Sequence, residues 1–280
     1  MNTRLLSFLL SVLTTVSSCA QNKSSNTRFS PHYSGDPIVL TMEKGLDEIS
    51  GLSFDPSDYS AVYVISDDKG TLYKVSVSDG KIINTLKFDK KKNFEDLVVV
   101  DDNCYVLNSN GNIISFNYKT GDVKNAVIHH LPEGGKNEFE TLYQDKAPNK
   151  LVLICKGCDR DKKKKVSTFS YDLATGTYSK GPFSLDATKI LKRSLIKKNR
   201  FKPSAAAIHP ISGELYVVSS INKLLVVTDL QGTIKEVYPL DNKQFKQPEG
   251  IAFTASGQML ISNEAAGSGP ANILIYKYSP

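Results

Sequence analysis

The chain has 280 residues, of which 40% are hydrophobic, and its 35 Lys and Arg against 29 Asp and Glu give a formal charge of +6. It is long enough for a single domain with a substantial core, and beyond an N-terminal leader no apolar run reaches bilayer length, so no spanning helix is expected there. The positive excess is mild, sits mostly in residues 160–165 and 189–202, and lacks interleaved aromatic side chains, so it gives no ground for nucleic-acid binding.

Arg4 precedes an apolar run over residues 5–16, which closes on Ser17-Ser18-Cys19. A basic residue, a short apolar core and small residues describe a secretory leader. Val16-Ser17-Ser18-Cys19 resembles the bacterial lipobox, in which the cysteine is lipidated and becomes the first residue of the mature chain. Residues 19–34, rich in Ser, Asn and Gln, cannot bury enough surface to fold and read as a flexible tether. The expected organisation is a leader over 1–18, a lipidated tether over 19–34 and a folded domain over 35–280. The protein is expected in a bacterial cell envelope, attached to a membrane through Cys19. Gln21, with no Asp after the cysteine, favours the outer over the inner membrane.

Within the domain, short strands recur with a fixed opening. Ser50, Glu95, Glu140, Ser204 and Glu249 occupy one position, with Leu52, Leu97, Leu142, Ala206 and Ile251 two residues on, at intervals of 45, 45, 64 and 45 residues. A period in the forties with several short strands per unit indicates propeller blades. The first unit reads as strands over 49–54, 61–66, 71–77 and 81–88, with Asp79-Gly80 as a tight hairpin, and the next three units repeat the pattern. The fifth stops after three strands, leaving an open edge that invites aggregation. Residues 37–42, Pro-Ile-Val-Leu-Thr-Met, have no other partner and supply the missing strand. The fold class is therefore all-β, a five-bladed β-propeller with its last blade closed by an N-terminal strand.

The longer interval carries a 19-residue insertion before Ser204, in which Asp186 can cap a short helix over 189–193. Its basic residues and those of 160–165 could attract anionic headgroups or polyanions, but charge runs usually serve as solvated loops, and that is the expectation. Cys104 and Cys155 fall in apolar strands and read as small core hydrophobes. Cys155-Lys156-Gly157-Cys158 has redox spacing but follows a strand and does not open a helix, which argues against a catalytic dithiol. An extracytoplasmic compartment would permit disulfides.

Inner strands line a propeller's channel, and each antiparallel second strand ends beside the start of the first. One face thus collects Glu48, Ser50, Glu95, Glu140, Ser204 and Glu249 with Ser66, Asp67, Asn108, Lys156, Ser219, Asn263 and the adjacent Glu264. Converging carboxylates in a narrow channel need a positive partner or raised pKa values. A hard divalent cation with oxygen ligands answers this, and calcium accepts these donors. The competing reading is that Lys156, water and backbone amides suffice.

The segments Glu48-Ile-Ser-Gly-Leu52, Phe94-Glu-Asp-Leu97, Phe139-Glu-Thr-Leu142, Lys202-Pro-Ser-Ala-Ala206 and Gln247-Pro-Glu-Gly-Ile251 together resemble the SdiA-regulated family of bacterial envelope proteins, in order and over nearly all of the domain. The resemblance implies a five-bladed propeller, distantly similar to NHL-repeat propellers, with calcium at Glu95, Glu140, Glu249 and Glu48. It implies no established activity. Ser204, where a carboxylate would complete the pattern, departs from a symmetrical site.

Two functions follow. One is a membrane-anchored, monomeric binding module for a small molecule, glycan or peptide. The other is a calcium-dependent hydrolase resembling lactonases and arylesterases, in which the metal would activate water. None of the four histidines stands at the channel face to act as base, and fold analogy alone is weak warrant for an activity. The binding module is preferred, and a closed, partly apolar pocket would favour the hydrolase.

Overall fold

The computed structural model describes residues 30–280 except 163, 266 and 268. The leader, Cys19 and the tether up to residue 29 lie outside the described residues.

A first strand, β1 (Ile38–Thr41), precedes four complete blades. They are β2 (Ile49–Asp55), β3 (Asp58–Ser66), β4 (Lys69–Ser76) and β5 (Ile82–Lys87); β6 (Phe94–Val100), β7 (Asn103–Asn108), β8 (Ile113–Asn117) and β9 (Asp122–His129); β10 (Asn137–Gln144), β11 (Lys150–Cys158), β12 (Lys165–Asp172) and β13 (Thr177–Asp186); and β14 (Ala205–Ile208), β15 (Leu215–Ser219), β16 (Leu224–Thr228) and β17 (Ile234–Pro239). The fifth blade has β18 (Pro248–Phe253), β19 (Met259–Asn263) and β20 (Asn272–Tyr276), with β1 as its outermost strand in the order β1-β20-β19-β18. All pairings are antiparallel, and Leu40 lies opposite Ile273. The expected five blades and the closure by the N-terminal strand are both present.

The core lies between blades. In β3, Val62 and Val64 pack toward the fifth blade while Tyr63 and Ile65 pack toward the second, so both faces of the strand are apolar. Three further clusters fill the remaining interfaces: Leu107 with Leu153, Ile154 with Val217, and Val218 with Ile261. Burial on both faces is why these strands read as continuous apolar runs.

The insertion forms α1 (Ala187–Ser194), whose N-cap Asp186 accepts the Lys189 amide at 2.9 Å. Its Ala187 and Ile190 are buried in the cluster between the third and fourth blades. Arg193 donates to the carbonyls of Ile234 and Lys235. Among the described residues no helix is long and apolar enough to cross a membrane.

Two expectations change. Residues 30–34, read as tether, pack on the domain: Tyr33 is 1% exposed and donates to the Gly257 carbonyl at 2.7 Å. Its ring is enclosed by His209, Tyr216, Phe253 and Tyr278, and a single aromatic residue docked this way orders a segment whose composition is otherwise polar. Cys104 is a free buried thiol as expected, but Cys155 is joined to Cys158 in a disulfide with a Cα separation of 6.0 Å. Residues three apart in a regular strand point to opposite faces. Here Phe139 pairs with Cys155 and Glu138 with Gly157, so Lys156 is bulged out of the ladder, and that extra residue brings the two sulfurs to one side.

Replacing Leu40, 4% exposed, by Ala is expected to cost about 2–5 kcal/mol, whereas Val39→Ala, 56% exposed, changes stability by under about 0.5 kcal/mol. Tyr33→Phe, which removes the bond to Gly257, should cost about 1 kcal/mol, and cutting the chain at Gly35 should cost clearly more. Urea unfolding of each variant checks both.

Candidate functional site

The inner strands carry a break in register at the repeated position. Phe94 pairs with Asn108 and Asp96 with Leu107, which leaves Glu95 unpaired; in the same way Glu140 is skipped between Phe139 and Thr141, and Glu249 between Pro248 and Gly250. In the first blade the skip falls on Ser50-Gly51. A bulge adds a residue on one strand and re-aims its side chain, and here it turns three glutamates toward the axis. Lys156, bulged from β11 opposite Glu140, meets that carboxylate directly and lies 3.2 Å from Glu138.

Crowding at the axis explains two glycines. A Cβ at Gly51 would strike the Asp96 carboxylate and the Leu97 backbone, and one at Gly250 would meet Ser262 and the Ser50 carbonyl. Asp96 itself is fully buried and accepts the amides of Leu97 and, across to the next blade, Leu142, each at 2.8 Å. Burial pushes its carboxyl well up, while those two amides pull the other way.

The bulged carboxylates open into a cavity of about 490 Å³ at one end of the channel. It is lined by the carboxylates Glu48, Asp67, Glu95, Glu140, Glu249 and Glu264 and by the ammonium groups of Lys156, Lys223 and Lys246. Burial pushes Glu95 up to about 7, with Lys156 countering and Asp67 and Glu249 adding to it. Burial likewise raises Glu264 to about 8, reinforced by Glu249, Glu48 and Asp67, although Gln247 donates to it. Glu48, Asp67 and Glu249 are also raised, each chiefly by burial. Burial lowers Lys223, opposed by Glu249.

Of the residues expected at this face, Glu48, Ser50, Asp67, Glu95, Glu140, Lys156, Ser204, Glu249 and Glu264 line the cavity. Three do not. Asn108 donates to the Lys92 carbonyl, Ser219 is spent on the Lys202 carbonyl and Asn222, and Asn263 donates to Asn272. Ser204 is present but donates to the Pro248 carbonyl at 2.8 Å, tying the fourth blade to the fifth. Lys223, Lys246, Gln247, Ser220 and Ile221 were missed. Ser220, Ile221 and Lys223 lie in or border the loop after β15, and Lys246 and Gln247 directly precede β18, so scanning whole loops and not only strand ends would have found them.

The donors are oxygens, which suits a hard cation. The Oδ1 of buried Asn263, beside Glu264, has no hydrogen-bond partner. Among the described residues, the His, Cys, Asp or Glu triplet with ligand atoms within 4.8 Å of one another is Cys155, Cys158 and Asp161, so the mouth carboxylates are more widely set. They fit a cation that keeps part of its water shell. The opposite end of the channel differs in kind: its cavity of about 220 Å³ is lined mainly by apolar residues such as Leu52, Val99, Leu142, Ile208 and Phe253.

The sequence profile of the SdiA-regulated family matches residues 37–267. The chain belongs to the SdiA-regulated family. Comparison with curated proteins gives no match. Among solved structures, this SdiA-regulated propeller is similar to a luciferin-regenerating enzyme, at 12% identity and TM-score 0.53 over 86% of this chain and 95% of that one. It is also similar to a chain of a nidogen/laminin complex, at 12% identity and TM-score 0.51 over 77% of this chain and 72% of that one. Such identities show the shared fold alone.

In the metal-free protein, Glu95 and Glu264 ionise at about 7 and about 8 when folded, above their ordinary 4.5. Between those limits the folded state holds more protons than the unfolded, so stability falls as pH rises from about 4.5 through 8. Glu95→Gln and Glu264→Gln should each be more stable than the parent at pH 8 and close to it at pH 4, as read from denaturant midpoints across pH.

Proposed function

We propose that this SdiA-regulated propeller is a monomeric envelope lipoprotein, anchored through Cys19, that holds a hard divalent cation at its acidic mouth and uses that mouth to bind a ligand. The observation that carries the reading is the imbalance of six carboxylates against three ammonium groups in one partly desolvated cavity, with the titration of several carboxylates displaced upward. A cation relieves that repulsion more fully than water can. Calcium matches the donors, and Glu95, Glu140, Glu249 and Glu48 are the residues that would hold it. Glu140 is partly committed to Lys156, so it would bind the ion less directly than Glu95 or Glu249.

The walls favour binding over hydrolysis. Ile221 is the one apolar side chain among the described residues lining this mouth, and no histidine reaches it, whereas a hydrolase of lactones or esters would want an apolar wall beside the metal. A small molecule, glycan or peptide bearing polar groups suits the cavity better.

Calcium at about one hundred times its Kd should stabilise the protein by about 2.7 kcal/mol, a rise in Tm of about 5–10 °C for a domain of this size. Excess chelator should reverse the rise, and Glu95→Gln and Glu249→Gln should each abolish most of it. A Tm independent of calcium in the parent would overturn the metal reading.

A further inference from the structure

Two basic runs that are far apart in sequence meet in space. A cleft of about 240 Å³ beside the acidic mouth is lined by Lys162 and Lys165 from the first run, Arg200 and Lys202 from the second, and Lys136 from the loop before β10. Lys156 belongs to both cavities. Three carboxylates line the cleft with these six cations, each of them already engaged, and Lys156 is also held by Glu140 of the mouth. Asp161 accepts the Ser167 amide and hydroxyl, Asp159 accepts the Lys136 amide, and Glu138 faces Lys156 and Lys202 at 3.2 and 3.9 Å. Among the described residues, Lys136, Lys162, Lys165 and Arg200 have no carboxylate within ion-pair distance.

The backbone holds these cations in place. The first run follows the Cys155–Cys158 disulfide through a short 3-10 helix (Asp159–Asp161) and re-enters the sheet at Lys165, which pairs with Asp186. The second is fixed by Asn222, 2% exposed, which donates to the Arg200 carbonyl and accepts the Lys202 amide, each at 3.0 Å. Phe201 between them is buried. These backbone anchors bring the two runs to one concavity, with the side chains of Lys136, Lys162, Lys165 and Arg200 exposed to solvent.

We propose that this cleft is an anion site for a ligand carrying more than one phosphate group. Arg200 offers a planar fork matched to phosphate oxygens, and the lysines supply point charges around it, a combination suited to clustered tetrahedral anions more than to a lone carboxylate. The site is independent of a cation at the acidic mouth, although Lys156 places the two next to each other.

The test uses the full chain in non-ionic detergent, stripped of metal and desalted. Inorganic triphosphate and vesicles containing phosphatidylglycerol are titrated separately, at low and at moderate salt. Saturable binding of triphosphate, weakened by salt and reduced roughly tenfold or more in Arg200→Ala/Lys162→Ala, is expected. Lys189→Ala/Lys192→Ala is the control, because it removes the same charge from the exposed face of α1, outside the cleft, and should bind as the parent does. Vesicle binding with the same dependence on Arg200 and Lys162 would place the phosphates in a headgroup array and also supports the site. No saturable binding of either probe, or equal loss in both double variants, overturns it. Binding in metal-stripped protein separates this outcome from success or failure of the calcium test.

Discussion

The pairing of β1 with β20 is the constraint on which the molecule depends. Each blade is a sheet too small to bury its own two faces, so every blade needs a neighbour on both sides, and a ring of five meets that need only when its ends join. Leu40 and Met42 enter the cluster between the fifth and first blades, so closure completes a core as well as a sheet edge. The chain then passes at once into Glu48 and β2, and so the strand that seals the ring also brings the first carboxylate to the mouth beside Glu264.

Within the closed ring, the axis imposes a second constraint. Five inner strands converge so closely that Gly51 and Gly250 have no room for a side chain, and the ladder gives way at the same point in four blades. The irregularity turns the glutamates inward, and charge repulsion follows from that geometry. Lys156 answers part of it, held in its bulge between two bonded cysteines. The remaining imbalance keeps several of the mouth carboxylates titrating above their ordinary range, and it is what the proposed cation would relieve.

The architecture was legible because its signals are periodic. A recurring carboxylate or serine two residues before an apolar residue marks the inner strands, and the unpaired segment 37–42 points to the closing strand. The helix cap at Asp186 was legible for the same reason, since a capping side chain acts locally. What escaped depends on contacts distant in sequence. Tyr33 lies in a polar segment, and its burial depends on His209, Phe253 and Tyr278, which no local pattern reveals. The disulfide required a bulge at Lys156 that a regular strand would forbid. Asn108, Ser219 and Asn263 sit at strand ends facing the mouth in register, but nearby carbonyls and amides claim their side chains, and hydrogen bonding of that kind does not appear in spacing.

The docking of Tyr33 gives the molecule a compass. Its hydroxyl reaches the turn after β18, and its ring packs on Phe253, which lines the end of the channel opposite the carboxylates. The first described residues are thus fastened across the channel from the acidic mouth and its basic neighbour, so a contact made at one end is separated from the other by the length of the inner strands.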